Sequence, residues 1–228
     1  LVDLCDVISF TGGTETGKTI ASRAAKKFKK CSLELGGKNP TVVFGDCNFK
    51  LTVEMAVKSA FLNQGQICLC GSRLFVQDTI YDRFKSAFLE RTSKLVVGDP
   101  GCSKSNLGAI SSEGHLNKIL GLVSEAKKSG GRISFGGNRV FLKKDLSGGF
   151  YMEPTIIEGT LCEDKINQEE VFGPVVTLIS FKDEEQVVEM CNNTRFGLSA
   201  SIFSENISRA HRVAAKIDAG VVWVNTWL

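Results

Sequence analysis

Short runs of β-branched and apolar residues alternate with helix-length amphipathic stretches along the whole chain. Asp6-Val7-Ile8-Ser9-Phe10 reads as a buried strand, Gly12-Gly13 turns the chain, and Ile20, Ala24 and Phe28 then fall on one helical face. Thr41-Val42-Val43-Phe44 and Leu74-Phe75-Val76 are further strand-like runs. Asp78 follows as a helix N-cap, before a stripe of Ile80, Phe84, Ala87 and Phe88. Val175 to Ile179 precedes Asp183 and Gln186, which are spaced as a capping box ahead of Val187, Val188 and Cys191. Ser201-Ile202-Phe203, a helix carrying Ile207, Ala210, Val213 and Ile217, and Val221 to Val224 repeat the alternation. This order predicts an α/β fold with a largely parallel sheet. Two stretches rich in Gly, Ser and Lys, Gly98 to Ser105 and Gly130 to Gly149, read as surface connections.

The length, 228 residues, suits one large domain or two small ones with a sizeable core. With 43% hydrophobic and 23% charged residues the chain is of ordinary globular make-up, which excludes wholesale disorder and fibrous repeats. A net charge of +3 is too small to make nucleic acid the main partner, and Lys26, Lys27, Lys29 and Lys30 complement a helix C-terminus. No window reaches the roughly 18 consecutive apolar residues of a membrane span, and Asp3 and Asp6 stand where a signal peptide has bases. A soluble, cytoplasmic protein is expected. The missing initiator Met and the apolar ending Trp223-Val224-Asn225-Thr226-Trp227-Leu228 point to a piece of a longer protein. The eight cysteines include no Cys-x-x-Cys and read as free thiols. Cys68-Leu69-Cys70 is a lone pair with neither His115 nor His211 at ligand spacing, so no metal site is expected.

Four segments carry candidate chemistry. In Phe10 to Thr19 a strand passes through glycines into a helix, a turn whose N–H groups can face a phosphate. Gly12 to Thr19 also satisfies the P-loop pattern, with Lys18 and Thr19 as phosphate and magnesium contacts and Asp46 as a second acid. Ordinary residue frequencies produce that pattern by chance in about one or two chains per hundred of this length. In Leu33-Glu34-Leu35-Gly36-Gly37-Lys38, a carboxylate flanked by leucines is expected in poor solvent, as a general base would be. In Asn63-Gln64-Gly65-Gln66-Ile67-Cys68-Leu69-Cys70-Gly71-Ser72-Arg73, an accessible thiol lies among backbone donors able to stabilise a thiolate and an oxyanion. In Glu170-Val171-Phe172-Gly173-Pro174 an acid and an aromatic ring can meet ribose hydroxyls and a flat cofactor. Each segment alone also has a bland reading: a ligand-free turn, a solvated glutamate, a small buried cysteine or an acidic loop.

Taken together and in this order, the four segments resemble the aldehyde dehydrogenase superfamily. The resemblance implies Rossmann-like parallel sheets with flanking helices, residues 1–37 ending a dinucleotide-binding domain and 38–228 forming the thiol-bearing catalytic domain. It selects Cys68 over Cys70 as nucleophile and Glu34 as the base that activates water. It places Thr11, Gly12, Gly13, Leu35, Glu170 and Phe172 on the cofactor, NAD, with NADP left open. Gly13 stands where the family commonly has Ser. The implied reaction oxidises a small-molecule aldehyde to its acid through a thiohemiacetal and a thioester, in a homodimer or homotetramer. Gln66 to Cys70 and Trp223 to Leu228 are most similar to the branch that oxidises muconic semialdehydes. The ribose-reading acid, an oxyanion asparagine and the oligomerisation strand are expected outside residues 1–228, leaving this chain inactive alone. Three other readings stand beside this one: a P-loop nucleotide-binding protein, a catalytically inactive scaffold, and a hydrolase pairing Cys68 with His115 or His211.

Overall fold

A computed structural model describes residues 1–228, apart from the side chain of Lys144. The chain forms two compact units, Leu1–Gly37 and Lys38–Leu228. In the first, strand β1 (Val7–Thr11) leads into helix α1 (Thr14–Ala25), and β2 (Lys30–Glu34) returns parallel to β1 with Val7 opposite Lys30 and Thr11 opposite Glu34. The apolar run predicts a buried β1, yet Val7 is 63% exposed. A parallel strand is buried only when neighbours flank it and helices cover both faces, and this unit supplies one strand and one helix. Phe28 is no part of the helical stripe. It lies past the end of α1 with φ of +53° and stands in solvent.

The second unit contains β3 (Asn39–Val43), α2 (Phe49–Phe61), β4 (Gly71–Gln77), α3 (Tyr81–Ser93), α4 (Glu113–Lys128), β5 (Arg132–Phe135), β6 (Arg139–Val140), β7 (Tyr151–Met152), β8 (Thr155–Glu158), α5 (Lys165–Gln168), β9 (Val175–Phe181), α6 (Glu184–Asn192), β10 (Ser199–Phe203), α7 (Ile207–Ala214) and β11 (Val221–Val224). Seven strands form one sheet in the order β11-β10-β3-β4-β9-β8-β5. All its pairs are parallel except β5 with β8. The fold is thus α/β with a parallel-dominated sheet. Gly130 to Gly149 departs from the expected surface connection: its residues 132–135 pair as the antiparallel edge strand β5 and Arg139–Val140 forms a short ribbon with β7.

Alternation along the strands sorts side chains into two layers. Val43, Leu74 and Val76 face the cluster completed by Phe61, Phe84 and Phe88 from α2 and α3. Val42, Phe44 and Phe75 face the opposite cluster with Val187 and Cys191 of α6 and Ala210 and Val213 of α7. Both α6 and α7 start at side-chain caps, Asp183 accepting from the Gln186 N–H at 2.9 Å and Asn206 from the Arg209 N–H at 3.0 Å. The Gln186 side chain reaches back to the N–H of Lys182, one residue before the cap, at 2.7 Å.

Arg73 ties this sheet together beneath the thiol segment. It is fully buried on β4 and donates to the carbonyls of Lys38 (2.9 Å), Met190 (2.9 Å) and Cys191 (2.8 Å). The last two are orphan acceptors at the C-terminal turn of α6, where a cation also complements the helix dipole. An ammonium cannot span three acceptors on two elements. Arg73→Lys is therefore expected to cost about 2–4 kcal/mol, from stranded carbonyls, read as a lowered urea midpoint with unchanged m-value.

Candidate active site

The thiol segment begins where α2 stops. Asn63, Gln64 and Gly65 follow in succession with φ of +51°, +57° and +66°, a conformation that is costly for the first two. Their surroundings hold it. The Asn63 amide donates to the Gln66 carbonyl (3.2 Å), Gln64 donates to the Ala109 carbonyl (3.2 Å), and the Gln66 side chain accepts the Ser111 N–H (3.0 Å). At Gly65 a Cβ would stand 2.1 Å from the Gly173 carbonyl oxygen, so only glycine lets the thiol segment lie against the Gly173-Pro174 backbone. The reversed chain then closes a turn, the Cys70 N–H donating to the Ile67 carbonyl at 3.0 Å, and enters β4 at Gly71.

What fixes this turn comes from elsewhere in the chain. Asn39, buried at the head of β3, donates both amide hydrogens, to the carbonyls of Cys68 (2.7 Å) and Cys70 (2.9 Å), and accepts the Ser199 N–H at 3.1 Å. The β3–β4 register slips just after Asn39, which places it opposite Gly71 at the end of the turn. The Trp227 indole N–H donates to the intervening Leu69 carbonyl at 2.9 Å. Carbonyls 67 to 70 are all engaged. In a trans peptide the N–H points opposite its C=O, so the N–H groups of Cys68 and Leu69 face away from these acceptor contacts. They are candidate oxyanion donors.

The two thiols of the turn differ in environment. Cys70 is buried, and burial pushes its thiol up to about 12, so it stays protonated. Cys68 is half-buried. Cys5, Cys31 and Cys102 are more exposed, so access alone does not single out Cys68.

The Glu170 to Pro174 segment is held by α4. Lys118 donates to the Glu170 carbonyl at 3.2 Å, and His115 Nε2 lies 2.6 Å from the Phe172 carbonyl oxygen. Val171 is buried, Glu170 half-buried, and Phe172 is 37% exposed with φ of +54°. Close to this segment Lys38 is buried, and burial, with Arg73 adding to it against Glu170 and Glu169, brings its amine down to about 7. His115 is thus committed to a backbone carbonyl, and among the described residues neither it nor His211 hydrogen-bonds Cys68, which removes the support for a Cys-His hydrolase.

In the first unit, Thr11, Gly12 and Gly13 form the turn into α1. The Gly12 N–H donates to the Glu34 carbonyl at 3.0 Å, which brings that turn beside Glu34. Leu35 packs over Gly17, where a Cβ would stand 2.4 Å from Leu35 Cδ2. Two expectations change here. Glu34 is exposed, not in poor solvent, because this unit lays no apolar cover over the end of β2. The P-loop match is also overturned. α1 starts at Thr14, so Lys18 and Thr19 sit in its second turn, Lys18 pairing with Glu15 at 2.8 Å and Thr19 donating to the Glu15 carbonyl at 3.0 Å. Helix occupies the place where the phosphate loop should be.

The structure thus gathers Thr11, Gly12, Gly13, Glu34 and Leu35 within one unit and Cys68, Glu170 and Phe172 within the other. The sequence does not mark Asn39, Trp227 or Lys118 for this site, and it offers His115 only as a hydrolase partner for Cys68. Trp227 stands in the apolar ending Trp223 to Leu228 and Asn39 directly follows Lys38, but nothing in the sequence reveals carbonyls waiting for them.

A half-exposed cysteine on a braced turn, beside a Gly-Pro segment on a parallel α/β sheet, has the make-up of a covalent-catalysis site. The model of the aldehyde dehydrogenase family matches residues 3–228, and the chain belongs to that family. It is 42% identical over 224 residues to the 2-aminomuconic semialdehyde dehydrogenase of Danio rerio, covering 97% of this chain and 46% of that protein. It is likewise 42% identical to the 4-trimethylaminobutyraldehyde dehydrogenase of Oryzias latipes, over 96% of this chain and 44% of that one. A crystal structure of betaine aldehyde dehydrogenase from Staphylococcus aureus in complex with NAD+ matches with a TM-score of 0.94 at 40% identity, over 98% of this chain and 44% of its own. The chain spans less than half the length of these relatives.

Two outcomes follow from the buried groups around the turn. Asn39→Asp replaces a donor by an oxygen facing two carbonyls and is expected to cost about 2–4 kcal/mol, checked by urea unfolding of the full-length protein. Lys38 has its amine lowered from the ordinary 10.5 to about 7. Below that value its buried charge destabilises the fold fully. Between about 7 and 10.5 the unfolded chain holds a proton that the folded one lacks, so stability rises with pH. Lys38→Met should flatten that rise, seen by comparing unfolding free energies at the two ends of the window.

Proposed function

We propose that this chain carries the nucleophile, the hydrolytic base and part of the cofactor site of an NAD-dependent aldehyde dehydrogenase. The observation that carries the reading is the braced Cys68 turn packed against the Gly173-Pro174 backbone in a chain of this family. The residues present fit a dinucleotide. Gly13 caps α1 with no side-chain bond and has open space beside it, which leaves the first helical N–H groups for a phosphate, and the Phe172 ring stands out toward solvent. The relatives crystallised with NAD+ support NAD over NADP.

NAD, when bound, supplies the hydride acceptor. Cys68 as thiolate adds to the aldehyde carbon, and the N–H groups of Cys68 and Leu69 receive the developing oxyanion. Loss of the aldehyde hydrogen as hydride leaves an acyl thioester on Cys68. Glu34 takes a proton from water, hydroxide adds to the acyl carbon, and the C–S bond breaks to release the acid and the thiolate. Thr11, Gly12, Gly13 and Leu35 line the phosphate and nicotinamide regions, Glu170 takes a ribose hydroxyl, and Phe172 lies against the nicotinamide end. On this reading residues 1–37 end the dinucleotide-binding domain and 38–228 form the catalytic domain.

Relatives named as 2-aminomuconic semialdehyde dehydrogenases support a muconic semialdehyde as substrate. The family resemblance supports a cytoplasmic homodimer or homotetramer. In the full-length protein, Cys68→Ala is expected to abolish aldehyde-dependent NADH release. Glu34→Gln should keep a single-turnover burst while steady-state turnover falls by about 10²–10⁴-fold. A full-length wild-type protein that releases no NADH from a muconic semialdehyde or any other aldehyde would be the inactive scaffold instead.

A further inference from the structure

Phe172 is held in a conformation that a bulky side chain rarely adopts, with φ of +54°, and the residue is 37% exposed. Such a residue persists only where its surroundings over-determine it. Val171 before it is buried, and Gly173 after it lies so close to Ile119 that a Cβ would stand 2.5 Å from Cδ1. The peptide between Phe172 and Gly173 presents the Phe172 carbonyl oxygen to His115, which meets it at 2.6 Å through Nε2. The two rings lie 6.1 Å apart, tilted by 57°.

We propose that His115 is a positioning residue, which holds the Phe172 peptide so that the ring faces the cofactor. This rests on the reading of Phe172 as a nicotinamide contact. His115 itself is anchored, since its N–H caps onto the Ser112 side chain at 3.2 Å and so fixes the first turn of α4. Lys118, one turn further along the same face, fixes the Glu170 carbonyl. One helix face thereby pins both ends of the Glu-Val-Phe segment. Nε2 must donate here, because a carbonyl oxygen can only accept. Both the Nε2–H tautomer and the doubly protonated ring present that donor.

The test uses the full-length protein and the variants His115→Ala and His115→Gln, the second keeping an N–H donor at similar reach. In the absence of NAD, His115→Ala should speed amide hydrogen exchange of Phe172 and Gly173 while His115→Gln does not. His115→Ala should also weaken NAD binding by about tenfold, and His115→Gln should restore it to within about threefold. The rate of Cys68 alkylation without NAD should be unchanged in both. In a Phe172→Ala background, loss of His115 should add little. Unchanged exchange at Phe172 in His115→Ala would overturn the clamp, as would wild-type NAD affinity in that variant despite faster exchange. Equal slowing of Cys68 alkylation would mark a general lesion and overturn it too. Failure of the wild type to bind NAD or release NADH would refute the functional reading first, and this proposal with it.

Discussion

The site depends on one constraint: the consecutive carbonyls of the Cys68 turn must be satisfied from the inside of the protein. The Asn39 amide meets that demand with both hydrogens while its oxygen takes the Ser199 N–H, so one side chain serves three backbone partners on two segments, the turn and β10. Trp227 engages the carbonyl between the two that Asn39 holds. On the proposed reading of Cys68 as nucleophile, its backbone must not relax when charge develops beside it. Here the rigidity comes from β3, β10 and the last residues of the chain, not from the turn itself. Arg73 performs the same service one layer down, joining the start of β3 to the end of α6 through carbonyls alone.

Close backbone approach is the second recurring device. Gly65 against Gly173 joins the thiol segment to the Glu-Val-Phe-Gly-Pro segment, and Gly17 beneath Leu35 joins α1 to the residue after Glu34. Both glycines stand in motifs that invite a phosphate-binding or flexible-loop interpretation. Their work is to leave room, since any Cβ would overlap a neighbour. The P-loop pattern is instructive for the same reason. Its last glycine serves packing, and its lysine and threonine find partners within their own helix.

The strand runs and amphipathic stripes of the second unit were legible because both periods are strong and unbroken there: β3, β4, β9 and α6 fall where the pattern put them. Boundaries failed where apolar residues continued past a helix end, as at Phe28 and Ile217, since periodicity does not register where hydrogen bonding stops. β2, with sequence Lys30-Cys31-Ser32-Leu33-Glu34, carries too little apolar alternation to announce itself and exists through pairing with β1. β5 was hidden among glycines and lysines because an edge strand needs only one partner.

The sequence by itself determined the α/β class with its largely parallel sheet and the free-cysteine character of the chain, and it marked four segments as candidate chemistry, because each of these depends on residue type and local spacing. Only the tertiary structure decided which thiol of the Cys-x-Cys pair is buried, that Glu34 is exposed, and that Asn39, Trp227 and His115 meet backbone carbonyls of the candidate segments. Those outcomes depend on where backbone carbonyls point after distant segments meet, and no local pattern encodes the direction of a carbonyl.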